Sequence, residues 1–401
     1  MKAGDVVNGY LILEDFKVVG AGLSKWTYAE RGGRQYFIKE FLSPTYPDDN
    51  APGSEKTKTK KRARCATFEA QHRGMQKALA PLSTYGGNLI VTLDFFRWGA
   101  KYYKVTEKVD AEDLGPAGIA GLELRLQLVL MKSVAHSLKI LHDLRIVHGD
   151  LKPSNILVKR TELGYTSKLI DFDSSYIAGS PPPFEEIVGT INYYSPELLG
   201  YIQDVGVQPA ELGVASDIFA LGLIYTEFLT GAVPPFDVAT YHEAAVAVRS
   251  GEVLRIPRAG IVPALADLVD AMLLADPAQR PTIAQVHSTL MGIRLPTEAP
   301  APTTITARPR RVGSAPAARP APGPAPAAPS SAPAAPAAAA PAAAPSGALR
   351  GKGLRISGSG SATGEAPHSE PAASEAAASE APPARGLVGK LVGRLTGRPP
   401  R

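Results

Sequence analysis

Four short apolar-rich runs near the start of the chain alternate with polar and glycine-containing turns: Tyr10-Leu11-Ile12-Leu13, Lys17-Val18-Val19, Trp26-Thr27-Tyr28-Ala29 and Gln35-Tyr36-Phe37-Ile38-Lys39. Short aromatic and aliphatic runs bounded by turn residues predict a small antiparallel sheet over residues 10–42, with Gly20 and Gly22 at a turn. Residues 88–96 and 101–107 predict two more strands, joined by a turn at Gly99. Helical spacing runs from about Ala66 to Leu79. It returns from Leu122 to His142, where Leu122, Leu126, Val129, Leu130, Val134, Leu138 and Leu141 recur three and four apart. A further apolar helix opens at Ser216 and is expected to end near Thr230-Gly231. Strands gather early and helices late, which is an α+β order.

Three segments carry no such pattern. Residues 43–65 hold Pro44, Pro47 and then Glu55-Lys56-Thr57-Lys58-Thr59-Lys60-Lys61-Arg62-Ala63-Arg64, a basic insert expected to stay extended because like charges repel. No aromatic residue is interleaved for base stacking, so nucleic acid is not the expected partner. Residues 294–384 are Pro-Ala repeats with Ser and Gly, too poor in large apolar side chains to offset their ordering entropy, and are expected to form a disordered linker. In residues 385–401, Leu387, Val388, Leu391, Val392 and Leu395 fall on one helical face and Lys390, Arg394 and Arg398 on the other. That basic amphipathic segment suits an anionic membrane surface or a docking partner. Gly386, Gly389, Gly393 and Gly397 each cost a helix about 1 kcal/mol, so it is expected to be unstructured when free.

Composition narrows the setting. Among 401 residues there is one cysteine, Cys65, which excludes a disulfide framework and fits a reducing compartment. The N-terminus lacks an apolar signal-peptide core, and no run reaches the ~18 apolar residues of a spanning helix. A cytoplasmic location is expected, peripheral to a membrane if the C-terminal segment binds lipid. The net charge of +5 is modest and sits in local clusters.

The chemistry is concentrated in His148-Gly149-Asp150-Leu151-Lys152-Pro153-Ser154-Asn155 and in Lys168-Leu169-Ile170-Asp171-Phe172-Asp173, one hairpin further on. Phosphoryl transfer from a nucleotide requires a group to accept a hydroxyl proton and hard oxygens for Mg²⁺, with little covalent chemistry from the protein. Asp150 can accept the proton; Asn155 and Asp171 offer the oxygens. Read alone, His-Gly-Asp could be a turn and Asn155 a cap. In company with the other motifs, the two stretches resemble the catalytic loop and metal-binding segment of eukaryotic-type (Hanks-type) protein kinases, and the Pro-Ala-rich tail gives the chain a bacterial look.

The resemblance covers roughly residues 8–293. It implies a bilobal fold: a small β-rich N-lobe over 1–108 containing the basic insert, then a larger helical C-lobe over 109–293. It implies ATP and Mg²⁺ as cofactors, with Gly20 and Gly22 over the phosphates and Lys39 on them. Glu69 would pair with Lys39, and the backbone of Glu107 to Val109 would hold adenine with Thr106 behind it. Asp150, Lys152 and Asn155 would be catalytic, and Asn155 and Asp171 would bind metal. Lys152 with Thr190 is the serine/threonine-type choice. Ser195-Pro196-Glu197 stands for the commoner Ala-Pro-Glu, Arg280 would pair with Glu197, and Asp217 would bind the catalytic-loop backbone. The implied activity is ATP-dependent phosphorylation of Ser/Thr in proteins, including autophosphorylation, in bacterial signalling.

Several positions depart from that pattern. The third glycine of the loop is Ser24 or Lys25. Arg73 replaces an apolar residue one turn after Glu69. Gly149 replaces an arginine that reads a phosphorylated activation segment, so activity without that phosphorylation is expected. Asp173 replaces the glycine of Asp-Phe-Gly, adding a carboxylate near the metals. A pseudokinase scaffold, a small-molecule phosphotransferase of the aminoglycoside or choline kinase type, and a binding role carried by the tail are the alternatives. Lys152, the Ser-Pro-Glu segment and Arg280 speak against the second.

Overall fold

The computed structural model describes residues 1–19, 24–48, 52–84, 87–162, 164–187 and 189–295. Gly20 and Gly22, the linker from residue 296 and the segment 385–401 lie outside the described residues. The early strands are β1 (Val6–Val7), β2 (Tyr10–Ile12), β3 (Lys17–Val19), β4 (Ser24–Arg31) and β5 (Arg34–Phe41). Helix α1 (Glu55–Leu79) follows, then β6 (Asp94–Trp98) and β7 (Lys101–Glu107). The sheet runs β1-β2-β4-β5-β7-β6, with β3 also pairing β4, and every pair is antiparallel. Gly32 and Gly33, at φ 61° and 74°, make the two-residue turn between β4 and β5, positive at both centres as glycine readily allows.

The expected strand over 88–96 begins only at Asp94. Residues 88–90 instead pair with a later hairpin: Ile90 N donates to Leu169 O at 2.9 Å and Leu169 N to Asn88 O at 2.8 Å. An apolar run marks a strand but not its partner.

The basic insert is a correction. Residues 55–64 are the first turns of α1 and not an extended loop. Ser54 Oγ caps the helix by accepting from Thr57 N at 3.2 Å, and Glu55 at the positive end of the helix pairs with Lys58 at 3.1 Å. Lysine, arginine and alanine are good helix formers. With a cap and an acidic first turn they outweigh the repulsion, and Cys65 is buried against the sheet.

The remaining elements are α2 (Pro116–Ala120), α3 (Leu124–Asp143), β8 (Ile146–Val147), β9 (Ile156–Thr161), β10 (Gly164–Leu169) and β11 (Tyr176–Ile177). After them come α4 (Pro196–Ile202), α5 (Ala215–Thr230), α6 (Val238–Tyr241), α7 (Ala244–Arg249), α8 (Pro263–Met272) and α9 (Ile283–Gly292). The main core forms where Leu130, Met131, Val134, Leu138 and Leu141 of α3 meet Phe219, Leu221 and Ile224 of α5. Val129, counted in the apolar face by spacing, is 39% exposed. It lies about 200° round the helix from Met131, on the outer side. Helix α5 ends as expected, at Gly231 with φ 81°.

One buried ion pair ties the helical part together. All five N–H groups of Arg280 are used: Nη1 and Nη2 donate to the two oxygens of Glu197 at 2.7 and 2.9 Å. Nε, Nη1 and Nη2 also donate to the carbonyls of Leu274, Ala215 and Ala275. Ser216 Oγ completes Glu197 at 3.0 Å. Among the described residues no helix is long and apolar enough to cross a membrane.

Candidate active site

The hairpin of β9 and β10 brings the two motif stretches together. Ile156 pairs with Leu169 at its open end, Ile170 N donates to Asn155 O at 3.0 Å just beyond that rung, and Asp171 follows Ile170 directly. The loop before it is held from below by Asp217 in the first turn of α5. Its carboxylate, 2% exposed, accepts from His148 N at 2.7 Å and Gly149 N at 3.2 Å, and lies 3.0 Å from His142 Nε2. His148 Nε2 faces the carbonyl of Ile170 at 3.1 Å and so carries the proton, while Nδ1 accepts from Asp150 N at 3.4 Å.

Gly149 is at φ 80°, and a Cβ there would come within 2.3 Å of the Ser174 carbonyl. No side chain fits, so an arginine of the usual kinase type is excluded by backbone contact. The chain after Phe172 is held here without it: Ser175 Oγ donates to His148 O at 2.9 Å, and β11 pairs with β8.

On this base Asp150 is fixed from three sides. Oδ2 accepts from Lys152 Nζ at 2.6 Å and from Asn155 Nδ2 at 3.3 Å, and Oδ1 accepts from Thr190 N at 3.0 Å. Lys152 Nζ also donates to Thr190 Oγ1 at 2.7 Å. Asn155 Nδ2 donates to Asp150 O at 2.8 Å, which commits its nitrogen to the loop and leaves its amide oxygen for another partner. Asp171, at φ 63° and ψ 71°, is in the left-handed region.

Asp150, Lys152, Asn155, Asp171, Lys39, Glu107 and Val109 all line one cleft of about 980 Å³. Thr106 lines it too, as expected. An amide oxygen and a carboxylate fit Mg²⁺, which takes few protein oxygens and fills the rest of its octahedron with water and phosphate. Among the described residues no three His, Cys, Asp or Glu side chains cluster into a closed metal cage.

Glu69 is the site residue that the structure places elsewhere. It accepts from Tyr102 Oη at 2.6 Å, and Lys39 Nζ instead meets Asp171 Oδ2 at 3.0 Å and Asp173 Oδ2 at 2.7 Å. The cleft-lining residues of α1 include Phe68, Gln71 and His72, and Arg73 lies outside over the ring of Phe95 at 5.7 Å. The expected Glu69 and Arg73 face is therefore one position, about 100°, out of register. Phe68 and His72 pack into Phe41 and Phe95, and that aromatic packing sets the rotation.

Two functional candidates were not found from sequence. Lys104 Nζ lies 2.9 Å from Asp171 Oδ1 and also pairs with Asp173 Oδ1. His72 Nδ1 is 3.9 Å from Asp173. A lysine inside the apolar run Tyr102-Tyr103-Lys104-Val105 was the available signal, because a charge on a buried strand needs a counter-charge. Burial opposes ionisation of Asp173, but Lys104 and then Lys39 hold it well below the usual carboxylate range.

A family model described as the protein kinase domain matches residues 57–290, more than half of the chain. The chain belongs to the protein kinase domain family. The match begins inside α1, so the kinase domain's sheet, β1 to β5, is supplied by the structure. Among curated relatives, a calcium and calcium/calmodulin-dependent serine/threonine-protein kinase of Oryza sativa subsp. japonica is 31% identical over 167 residues, 41% of this chain and 31% of that protein. Calcium-dependent protein kinase 34 of Arabidopsis thaliana is 32% identical over 159 residues, 39% of this chain and 28% of its own length. Serine/threonine-protein kinase PKH3 of Eremothecium gossypii is 30% identical over 202 residues, 45% of this chain and 25% of that protein. The matched part of the kinase domain thus spans a third or less of these relatives.

The environment of His72 makes a pH prediction. Burial first, then Lys104 and Lys39, lower its pKa from 6.5 to about 4, with Asp173 and Asp171 opposing. The unfolded chain takes up this proton below 6.5 and the folded domain only near 4, so stability falls as pH drops through that window. The His72 contribution to the loss is up to about 3 kcal/mol. Urea unfolding at pH 7 and pH 4.5 checks it: His72→Phe is expected to lessen the acid loss, and an unchanged loss would remove His72 as its source.

Proposed function

We propose that this kinase domain is an ATP- and Mg²⁺-dependent protein serine/threonine kinase that transfers the γ-phosphoryl group to Ser and Thr hydroxyls of protein substrates, autophosphorylates and acts in bacterial signalling. The observation that carries the reading is Lys152 Nζ bridging Asp150 Oδ2 and Thr190 Oγ1, at 2.6 and 2.7 Å. It puts the proton acceptor, a cation and the activation-segment threonine in one contact set at the cleft.

In this mechanism Asp150 orients the substrate hydroxyl and takes its proton. Lys152 stands where negative charge develops at the attacked phosphoryl group. Lys39 binds the α- and β-phosphates, and the backbone at Glu107 and Val109 binds adenine. The Asn155 amide oxygen and the Asp171 carboxylate would hold Mg²⁺, which would supply positive charge to the transferred group. Positioning is most of the catalysis, and the Asp217 contacts to His148 N and Gly149 N supply it from a rigid helix. A cytoplasmic location, with residues 385–401 docking to an anionic membrane or a protein, completes the proposal.

The test is incubation of the purified protein with Mg²⁺, labelled ATP and a generic protein substrate, beside Lys39→Ala, with phosphosite mapping. Label on Ser or Thr that vanishes in the variant is expected. Nucleotide binding with no transfer would favour a scaffold, and label on a small molecule alone would favour the aminoglycoside or choline kinase type.

A further inference from the structure

Lys39 on β5 and Lys104 on β7 are directly opposite in the antiparallel ladder, so two ammonium groups leave the same face of the sheet side by side. Lys104 is only 4% exposed. Like charges placed opposite each other on a buried face repel and lose hydration, and such a pair persists only where anions meet it. Here both anions come from one three-residue turn. Each lysine contacts both Asp171 and Asp173, giving a closed ring of two positive and two negative groups. Helix α1 adds no acid to this ring. Its nearest member is His72, and Glu69 is committed to Tyr102.

We propose that Asp173 is the positioning residue of the phosphate-binding Lys39, with Lys104 as the counter-ion that holds Asp173 and Asp171 in place. The phosphate lysine is thereby tied to the metal segment itself and not to α1. Asp173 stands two residues from Asp171, so one short turn sets both the metal oxygen and the lysine. Movement of α1 then does not switch the site, in keeping with an activation segment seated without an arginine at position 149. The identity of Lys39 as a phosphate ligand rests on the proposed kinase activity; the ring does not.

The test uses the full chain and compares Asp173→Asn, Asp173→Glu, Lys104→Met and Glu69→Gln. It measures equilibrium binding of a fluorescent ATP analogue without Mg²⁺, then kcat and KM for ATP, with thermal unfolding as the folding check. Asp173→Asn is expected to weaken nucleotide binding and to lower kcat, together by about 10–10²-fold in kcat/KM, as a displaced positioning group does. Asp173→Glu is expected to recover part of this, and Lys104→Met to lower stability and nucleotide affinity together. Glu69→Gln is expected to change stability through Tyr102 while leaving nucleotide affinity at the wild-type value. The proposal is overturned if Glu69→Gln weakens nucleotide binding as much as Asp173→Asn, or if Asp173→Asn binds and turns over as well as or better than wild type. Should Asp173→Asn fail to fold, the Glu69→Gln affinity and the Asp173→Glu kinetics decide between the same two outcomes. A wild-type protein that binds nucleotide without transferring phosphate would remove the kinase reading alone, since the binding comparison still reads the ring.

Discussion

An Asp150→Asn variant is expected to lose about 10²–10⁴-fold in kcat, the usual range for deleting a general base. Nucleotide binding is expected to stay unchanged. The reason is geometric. The Asp150 carboxylate gathers Lys152, Asn155 and Thr190 N around one point of the cleft, and an amide keeps the shape while losing the ability to take a proton. Lys152 and Thr190 hold each other at 2.7 Å, so the pocket does not depend on Asp150 alone. Single-turnover phosphorylation at saturating ATP, alongside nucleotide titration, separates the two properties. A variant within tenfold of wild type would mean that another group accepts the proton.

Arg280→Ala is expected to be a folding variant. Glu197 is 9% exposed and Arg280 6%, and the change strands a buried carboxylate together with the carbonyls of Leu274, Ala215 and Ala275. Removing one partner of a buried pair costs about 3–5 kcal/mol. At about 2 °C or more per kcal/mol for a domain of this size, the fall in Tm is on the order of 10 °C. Thermal unfolding followed by circular dichroism measures it, with Arg125→Ala as a surface comparison, because Arg125 pairs with Glu123 at an exposed site. A Tm equal to wild type would show that water replaces the guanidinium, and that the pair fixes conformation without adding stability. The loss is expected in unfolding first and in activity only as a consequence, which distinguishes this variant from Asp150→Asn.

Much of the site was legible because its residues are close in sequence. Asp150, Lys152 and Asn155 lie within one loop, and Asp171 follows one hairpin later, so local spacing alone brings them together. The Glu197–Arg280 pair and the grip of Asp217 were legible only through the resemblance, since 83 and 69 residues separate the partners and no local rule joins them. Helix α1 shows the limit most clearly. Ser54, Glu55 and the helix-forming lysines contained its true start, but charge repulsion suggested a loop, and capping with propensity decided otherwise. The resemblance puts Glu69 and Arg73 on its cleft face. In the folded domain, packing of Phe68 and His72 against Phe41 and Phe95 turns it by one residue, and Glu69 goes to Tyr102.

The sequence by itself determined the α+β order, a long helix read over 122–142 and found at 124–143, the acid-and-amide loop of residues 148–155, the aspartate at 171 and the carboxylate at 173 as a departure. These depend on short apolar runs bounded by turns, on the period of 3.6 and on contacts within a few residues, which the chain states directly. Only the tertiary structure decided which acid meets Lys39. That choice depends on strand register, which sets Lys39 against Lys104, and on helix rotation, which withdraws Glu69. Both are settled by packing between segments about 30 to 130 residues apart, where a shift of one residue moves a side chain to another face.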